Sequence, residues 1–128
     1  RTGPAEIEGL VMATGLITEA AAIGLPDPRA GQSVMCVCIL APGVAGDDKT
    51  ANLVRDAVAT GLGHAFRPKG VIFVADLPKT RNMKIMRRVV KAAVQGQDPG
   101  DLTALVNPDA VDEVARAAGA VTMVDGDR

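Results

Sequence analysis

An α/β (α+β) domain, with a small mixed sheet of about three to five strands flanked by helices, is the fold this sequence predicts. Two observations carry it. The apolar runs 17–25 and 34–40 are bounded by Gly and Pro and are too short for buried helices, so they read as strands. Elsewhere apolar residues recur at spacings of three and four, as in Ile85, Met86, Val89, Val90, Ala93 and Val94, the stripe of an amphipathic helix.

Each element follows from local chemistry. Gly3 and Pro4 open a first helix, since proline is tolerated at the first helical position. Ile7, Leu10, Val11 and Thr14 line its inner face and Gly15 ends it. Residues 17–25 form a strand broken by Pro26-Asp27-Pro28, and 34–40 its partner after a turn at Gly31. After the loop 41–46, Asp47 or Asp48 caps a helix that reaches about Gly61, with Leu53, Val54, Ala57 and Val58 as core face. Residues 71–74 form a short buried strand. A turn bearing Lys84 leads into the Ile85–Val94 stripe, with Arg87, Arg88 and Lys91 on the opposite face. The turn-rich stretch 96–101 follows, and Asn107-Pro108-Asp109 starts a last helix ending about Ala118. The expected domain is 1–118, with 119–128 a frayed tail.

Composition excludes several functions. A length of 128 residues suits one domain with a modest core. No apolar stretch reaches the ~18 residues of a membrane span, and no basic-then-apolar signal segment opens the chain; a cytoplasmic protein is expected from its two cysteines, which read as reduced core residues. With two Phe, no Tyr, no Trp and a net charge of −1, the chain lacks stacking platforms and the electrostatic footprint for nucleic acid. Cys36 and Cys38, one residue apart in a strand, share a face. Their spacing is neither a zinc site nor a disulfide framework, and His64, the single histidine, does not complete a metal site. They read as reduced core residues, and no metal is expected to be held by this chain.

The charge distribution is uneven. Residues 79–91, Lys-Thr-Arg-Asn-Met-Lys-Ile-Met-Arg-Arg-Val-Val-Lys, hold six of the fourteen Lys and Arg and no acid. Residues 98–128 hold seven acids against two arginines, a net −5. A basic run beside an amphipathic helix is ordinarily a solvated face, and a nucleic-acid patch is the second reading, which composition opposes. A third follows from position. Lys84 stands at or just before a helix's first turn, where the dipole favours anions, and a cation there points to a negative ligand.

The order of residues resembles a known family. Leu77-Pro78-Lys79-Thr80-Arg81, then Lys84-Ile85-Met86-Arg87-Arg88, is similar to the signature near the C-terminus of adenylate-forming acyl-CoA synthetases. Arg1-Thr2-Gly3-Pro4-Ala5-Glu6-Ile7-Glu8 resembles the stretch after that family's interdomain hinge, and Gly24-Leu25-Pro26-Asp27 with Gly31-Gln32 lies between them. The tail with Asp101-Leu102-Thr103 and Asn107-Pro108 resembles the acetyl- and propionyl-CoA synthetase branch.

The resemblance implies the mobile C-terminal domain of a larger AMP-forming enzyme, inactive alone, working with its N-terminal domain on a small carboxylic acid, ATP and CoA. Lys84 then serves adenylation. ATP and Mg2+ are bound mainly by the larger domain. Arg1 and Gly3 belong to the face that builds the CoA tunnel, and Arg81 joins them as a nucleotide- or CoA-binding residue. Arg81, Arg87 and Arg88 either steer anions and pair between domains or are solvated charge, while Lys79, Glu6 and Glu8 read as structural. Lys84 is also an expected modification site, met by a protein lysine acetyltransferase and deacetylase. Two departures stand out: Asn82-Met83 replaces the usual Ser-Gly, and Ala59 stands where some acetyl-CoA synthetases place an arginine for the CoA 3′-phosphate, with Arg55 or Arg67 as substitutes. The competing reading is a basic interaction module without enzymatic activity.

Overall fold

In the computed structural model, which describes residues 2–126 and side chains up to residue 120, the two apolar runs pair as an antiparallel hairpin. β1 (Ile17–Asp27) and β2 (Gly31–Leu40) run in register from Ile17 opposite Leu40 to Asp27 opposite Gly31, with one irregularity between Ile17 and Glu19. Both strands extend further than predicted, because the turn is closed locally. Asp27 Oδ1 accepts from the N–H groups of Arg29 (2.9 Å) and Ala30 (3.1 Å), so the chain reverses within three residues. β3 (Gly70–Phe73) adds parallel to β2, giving the predicted mixed sheet in the order β1-β2-β3. A parallel neighbour requires a crossover, supplied by α2 (Asp48–Leu62) and a 3-10 turn at His64–Phe66.

The chain divides into two compact units, Arg1–Phe73 and Val74–Arg128. In the first, α1 (Pro4–Ala13) and α2 lie with the sheet over a core of Ile7, Val11, Ala20, Ala22, Val54 and Val58, joined by Cys36 and Cys38. The thiols thus share a buried face, as expected. Burial pushes the Cys36 pKa up to about 12, with the Glu8 charge adding to it, and raises that of Cys38 as well. Both stay protonated and unreactive at neutral pH. Glu8, itself buried, accepts the Ala22 N–H at 2.8 Å. Glu6 reaches back to the Gly3 N–H (3.1 Å), half of a capping box. The structural reading of both acids agrees with these bonds.

Asp47 caps α2, its Oδ1 accepting from the Thr50 N–H at 2.9 Å. The core face of α2 needs correction. Thr50, Val54 and Val58 point inward, whereas Leu53 is 48 % exposed. At 100° per residue Leu53 lies a quarter-turn or more from Val54, and the inward face is centred on the 50/54/58 line. Near its end α2 passes close to α1, and a Cβ at Gly61 would stand 2.6 Å from a Leu10 methyl.

In the second unit, α3 (Arg87–Gln95) packs against α4 (Asp109–Gly126) through Val89, Val90, Ala93, Val111, Val114 and Ala118. Gly96, at φ +68°, ends α3 in the left-handed conformation, with the Gln97 N–H returning to the Ala92 carbonyl at 2.9 Å. α3 starts later than its apolar stripe implies: Met86 is its N-cap, and Ile85 lies in a β-bridge. α4 continues past Ala118 to Gly126. Residues 127–128, the end of the expected tail, lie outside the described residues. No helix among the described residues is long and apolar enough to cross a membrane.

Candidate active site

Lys84 stands near the tip of a small hairpin whose leading arm is buried and whose returning arm is half-buried. Leu77 and Pro78 are fully buried, and they bring the chain out to Lys79, which bridges Ile85 in antiparallel sense. The Thr80 N–H donates to the Lys84 carbonyl (3.0 Å), and the Met86 N–H donates to the Pro78 carbonyl (3.0 Å). On its other edge the Lys79–Thr80 arm meets Leu105 and Val106: Thr80 bridges Leu105, and the Val106 N–H donates to the Lys79 carbonyl at 2.9 Å. Arg81, Asn82, Met83 and Lys84 are all exposed. Lys84 therefore precedes the α3 cap instead of occupying the first helical turn, and its amine is presented by a turn.

The departure at Asn82-Met83 has a defined consequence. Met83 adopts φ +64°, the one positive φ at a non-glycine position among the described residues. The residue standing where the usual glycine would be has taken the conformation that glycine takes freely, a strain of about 1–2 kcal/mol for an L-residue. Asn82, although asparagine tolerates the left-handed region better than methionine, does not take it. The Met83 N–H bonds the Thr80 carbonyl at 2.8 Å, which holds the tight turn closed.

The other basic residues separate into kinds. Lys79 is 6 % exposed, and its Nζ lies 3.3 Å from Asp76 Oδ1, a structural cation as the sequence suggested. Arg88 donates from Nη1 to the Pro99 carbonyl at 2.8 Å and fastens the 98–100 loop. Arg81 remains exposed at the hairpin tip. Burial opposes ionisation of Asp76, yet hydrogen bonds from Asn107, the Leu77 N–H and Lys79 outweigh it and hold its carboxyl below the usual range.

Gly3 lies in the first unit, on an open groove of about 300 Å³ whose lining includes Thr2, Pro4, Ile23, Gly24, Gln32 and Phe66. Arg1 lies outside the described residues. Of the suggested phosphate-binding substitutes, Arg55 is committed to the Pro68 carbonyl (Nε, 2.9 Å) and Arg67 pairs with Asp56 at 3.1 Å. A larger cavity of about 430 Å³ lies in the second unit between the end of α3 and the start of α4, with Asp109, Asp112 and no cation on its walls. It does not suit a phosphate-bearing ligand.

The pattern of the AMP-binding enzyme C-terminal domain matches residues 6–84, more than half of the chain, and ends on Lys84. The chain belongs to that family. The AMP-binding enzyme C-terminal domain is shared with acyl-CoA synthetases, and the curated relatives are of that kind. The acetyl-coenzyme A synthetase of Methanothrix soehngenii is 43 % identical over 119 residues, covering 91 % of this chain and 17 % of that protein. The 3-hydroxypropionyl-coenzyme A synthetase of Sulfurisphaera tokodaii is 39 % identical over 117 residues, covering 91 % and 18 %. Among solved structures, the acyl-CoA synthetase of Brucella canis superimposes with a TM-score of 0.70 at 36 % identity, over 77 % of this chain and 18 % of that one. The acetoacetyl-CoA synthetase of Streptomyces lividans shares the fold, with a TM-score of 0.78 over 94 % of this chain and 18 % of that one. The chain spans less than a fifth of the length of these relatives. This membership disfavours a basic interaction module without enzymatic parentage.

Asn107 and Asp76 are the residues of this site that the sequence reading missed as such. Asn107 reads along the chain as a helix start and as part of the tail resemblance, and nothing in one dimension joins it to residues 76–79.

Proposed function

We propose that this chain is the catalytic-lysine domain of an AMP-forming acyl-CoA synthetase and that Lys84 is its adenylation lysine. The observation that carries the reading is an exposed Lys84 near the tip of a hairpin whose leading arm, Leu77 to Lys79, is buried. In the first half-reaction a carboxylate oxygen attacks the α-phosphorus of ATP. An O–P bond forms, and the bond to pyrophosphate breaks. Two anions meet, and charge spreads over the phosphoryl oxygens. A compact ammonium on a flexible stem contacts a carboxylate oxygen and a phosphate oxygen together and offsets that charge as it develops. Arg81, at the same tip, adds positive field toward the nucleotide. ATP and Mg2+ are held mainly by the larger domain of the synthetase, the partner of this one.

In the second half-reaction the CoA thiol, losing its proton, attacks the acyl carbonyl carbon of the acyl-adenylate; a C–S bond forms, the C–O bond to the phosphate breaks, and AMP leaves. The groove beside Gly3 lines part of the pantetheine path, its apolar and amide walls suiting a neutral chain that carries its own amides, and nucleotide phosphate is the ligand assigned to Arg1 in this step. The acid is small, in keeping with the acetyl and 3-hydroxypropionyl names of the relatives.

Two assays test this. The 128-residue chain alone binds ATP more weakly than micromolar in calorimetry and forms no acyl-CoA, while the complete synthetase exchanges pyrophosphate into ATP only when a small carboxylic acid is added. Micromolar binding by the chain alone, or exchange without acid, sinks the reading.

The same exposure at the tip of a turn makes Lys84 a target of a protein lysine acetyltransferase, with a deacetylase restoring the charge. Lys79 is buried and Lys91 half-buried, so neither competes. After incubation with enzyme and acetyl-CoA, mass spectrometry will find the acetyl group on Lys84 in preference to Lys79 and Lys91. Modification at Lys49 or Lys69 with Lys84 untouched would remove it as a regulatory site.

A further inference from the structure

Asn107 stands two residues before Asp109, the first residue of α4, and its carbonyl accepts the Ala110 N–H at 3.0 Å. Its side chain is committed elsewhere. All three of its described side-chain hydrogen bonds go to residues 76–79, the stem of the Lys84 hairpin. Nδ2 donates to Asp76 Oδ2 and to the Leu77 carbonyl, both at 2.7 Å, and Oδ1 accepts the Lys79 N–H at 2.9 Å. This fixes the amide orientation, since a flipped side chain would set oxygen against two acceptors and NH2 against a donor. Asp76 is held in turn by the Leu77 N–H (2.9 Å) and by Lys79 Nζ (3.3 Å). The Val106 N–H, one residue before Asn107, bonds the Lys79 carbonyl. Lys79 is thus gripped at both backbone groups and at its ammonium, and it is the residue that bridges Ile85 across the hairpin.

We propose that Asn107 is a positioning residue for Lys84, acting by clamping the Asp76–Lys79 stem so that the hairpin presents its amine at one place. The proposal rests on the reading of Lys84 as the adenylation lysine, but its structural half is testable without it. The physical need is clear from the tip. Met83 sits in a left-handed conformation that costs energy, so the turn holds its shape only while its stem is over-determined. A reacting group displaced by about 1 Å can lose on the order of a hundredfold in rate.

The test uses Asn107→Asp, which keeps the size and the Oδ1 acceptor but sets a carboxylate against Asp76 and the Leu77 carbonyl. In the complete synthetase, acyl-adenylate formation by N107D falls about 10- to 100-fold. In a Lys84→Ala background the same change costs less than about twofold, because a residue that acts through Lys84 has nothing left to position. The double substitution D76N/N107D returns a donor to the 76–107 contact and recovers much of the loss. In the 128-residue chain, amide hydrogen exchange at Thr80 and Met86 accelerates at least about tenfold in N107D, while amides of β2 in the other unit keep their protection. Wild-type adenylation by N107D, an equal loss in the Lys84→Ala background, or unchanged exchange at Thr80 and Met86 overturns the proposal. If Lys84→Ala itself proves fully active, the functional reading falls, and with it the role in adenylation. The clamp then stands on faster exchange at Thr80 and Met86 and falls without it.

Discussion

In the complete synthetase, Lys84→Ala lowers acyl-adenylate formation by about 10²–10³-fold, or about 3–4 kcal/mol, and leaves transfer from supplied acyl-adenylate to CoA largely intact. The asymmetry follows from where the charge is required. Carboxylate and α-phosphate approach as two anions only in the first step; once pyrophosphate has left, the acyl-adenylate needs a path for the thiol more than a cation at phosphorus. Lys84→Arg fails nearly as badly. The hairpin is short and held by the Thr80–Lys84 and Met86–Pro78 hydrogen bonds, so it has little freedom to retreat and accommodate a longer, planar head. Measuring pyrophosphate exchange and thioester formation separately decides the matter. Equal losses in the two steps, or an active Lys84→Ala, would show that this lysine is not the adenylation lysine.

Periodicity and caps made the first unit largely legible. Alternating burial is not needed to find β1 and β2, because continuous apolar runs between turn residues suffice, and the Asp47 cap is a local side chain-to-backbone bond that sequence encodes directly. Where the reading fails, the deciding contact is not local. Leu53 and Val54 are equivalent by hydrophobicity, and only the packing of α2 on its sheet chooses between them. The apolar stripe from Ile85 onward continues without a break from a β-bridge into α3, so periodicity alone misplaces the helix start. At the candidate site Lys84, Arg81 and the structural character of Lys79 come from a contiguous motif. The left-handed Met83 and the Asn107 clamp do not. The first depends on which of two adjacent residues absorbs the turn, and the second on a contact about thirty residues away in sequence, at |i−j| of 28 to 31.

Leu77→Ala destabilises the chain by about 2–5 kcal/mol, a large share of the ~5–15 kcal/mol typical of a folded domain. Leu77 is fully buried, so the truncation removes apolar contacts and leaves a cavity that its neighbour Pro78, also fully buried and fixed in φ, is poorly able to fill. Its backbone is held on both sides, the N–H to Asp76 and the carbonyl to Asn107, which further prevents the segment from collapsing inward. Leu53→Ala provides the contrast: the same atoms are deleted from a side chain 48 % exposed, and the cost stays within about 0.5 kcal/mol. With no Trp or Tyr to report by fluorescence, helix signal in circular dichroism is the probe for urea unfolding. The midpoint of Leu77→Ala drops by about 1–2 M, with the slope unchanged. A Leu77→Ala protein as stable as the parent, or a Leu53→Ala protein as damaged as Leu77→Ala, would mean that the buried stem of the lysine hairpin has been misassigned. The same loss bears on function, because the hairpin that presents Lys84 has no other buried anchor on its leading arm than Leu77, Pro78 and Lys79. On the reading of Lys84 as the adenylation lysine, a stem loosened at Leu77 is expected to weaken adenylation as well as stability.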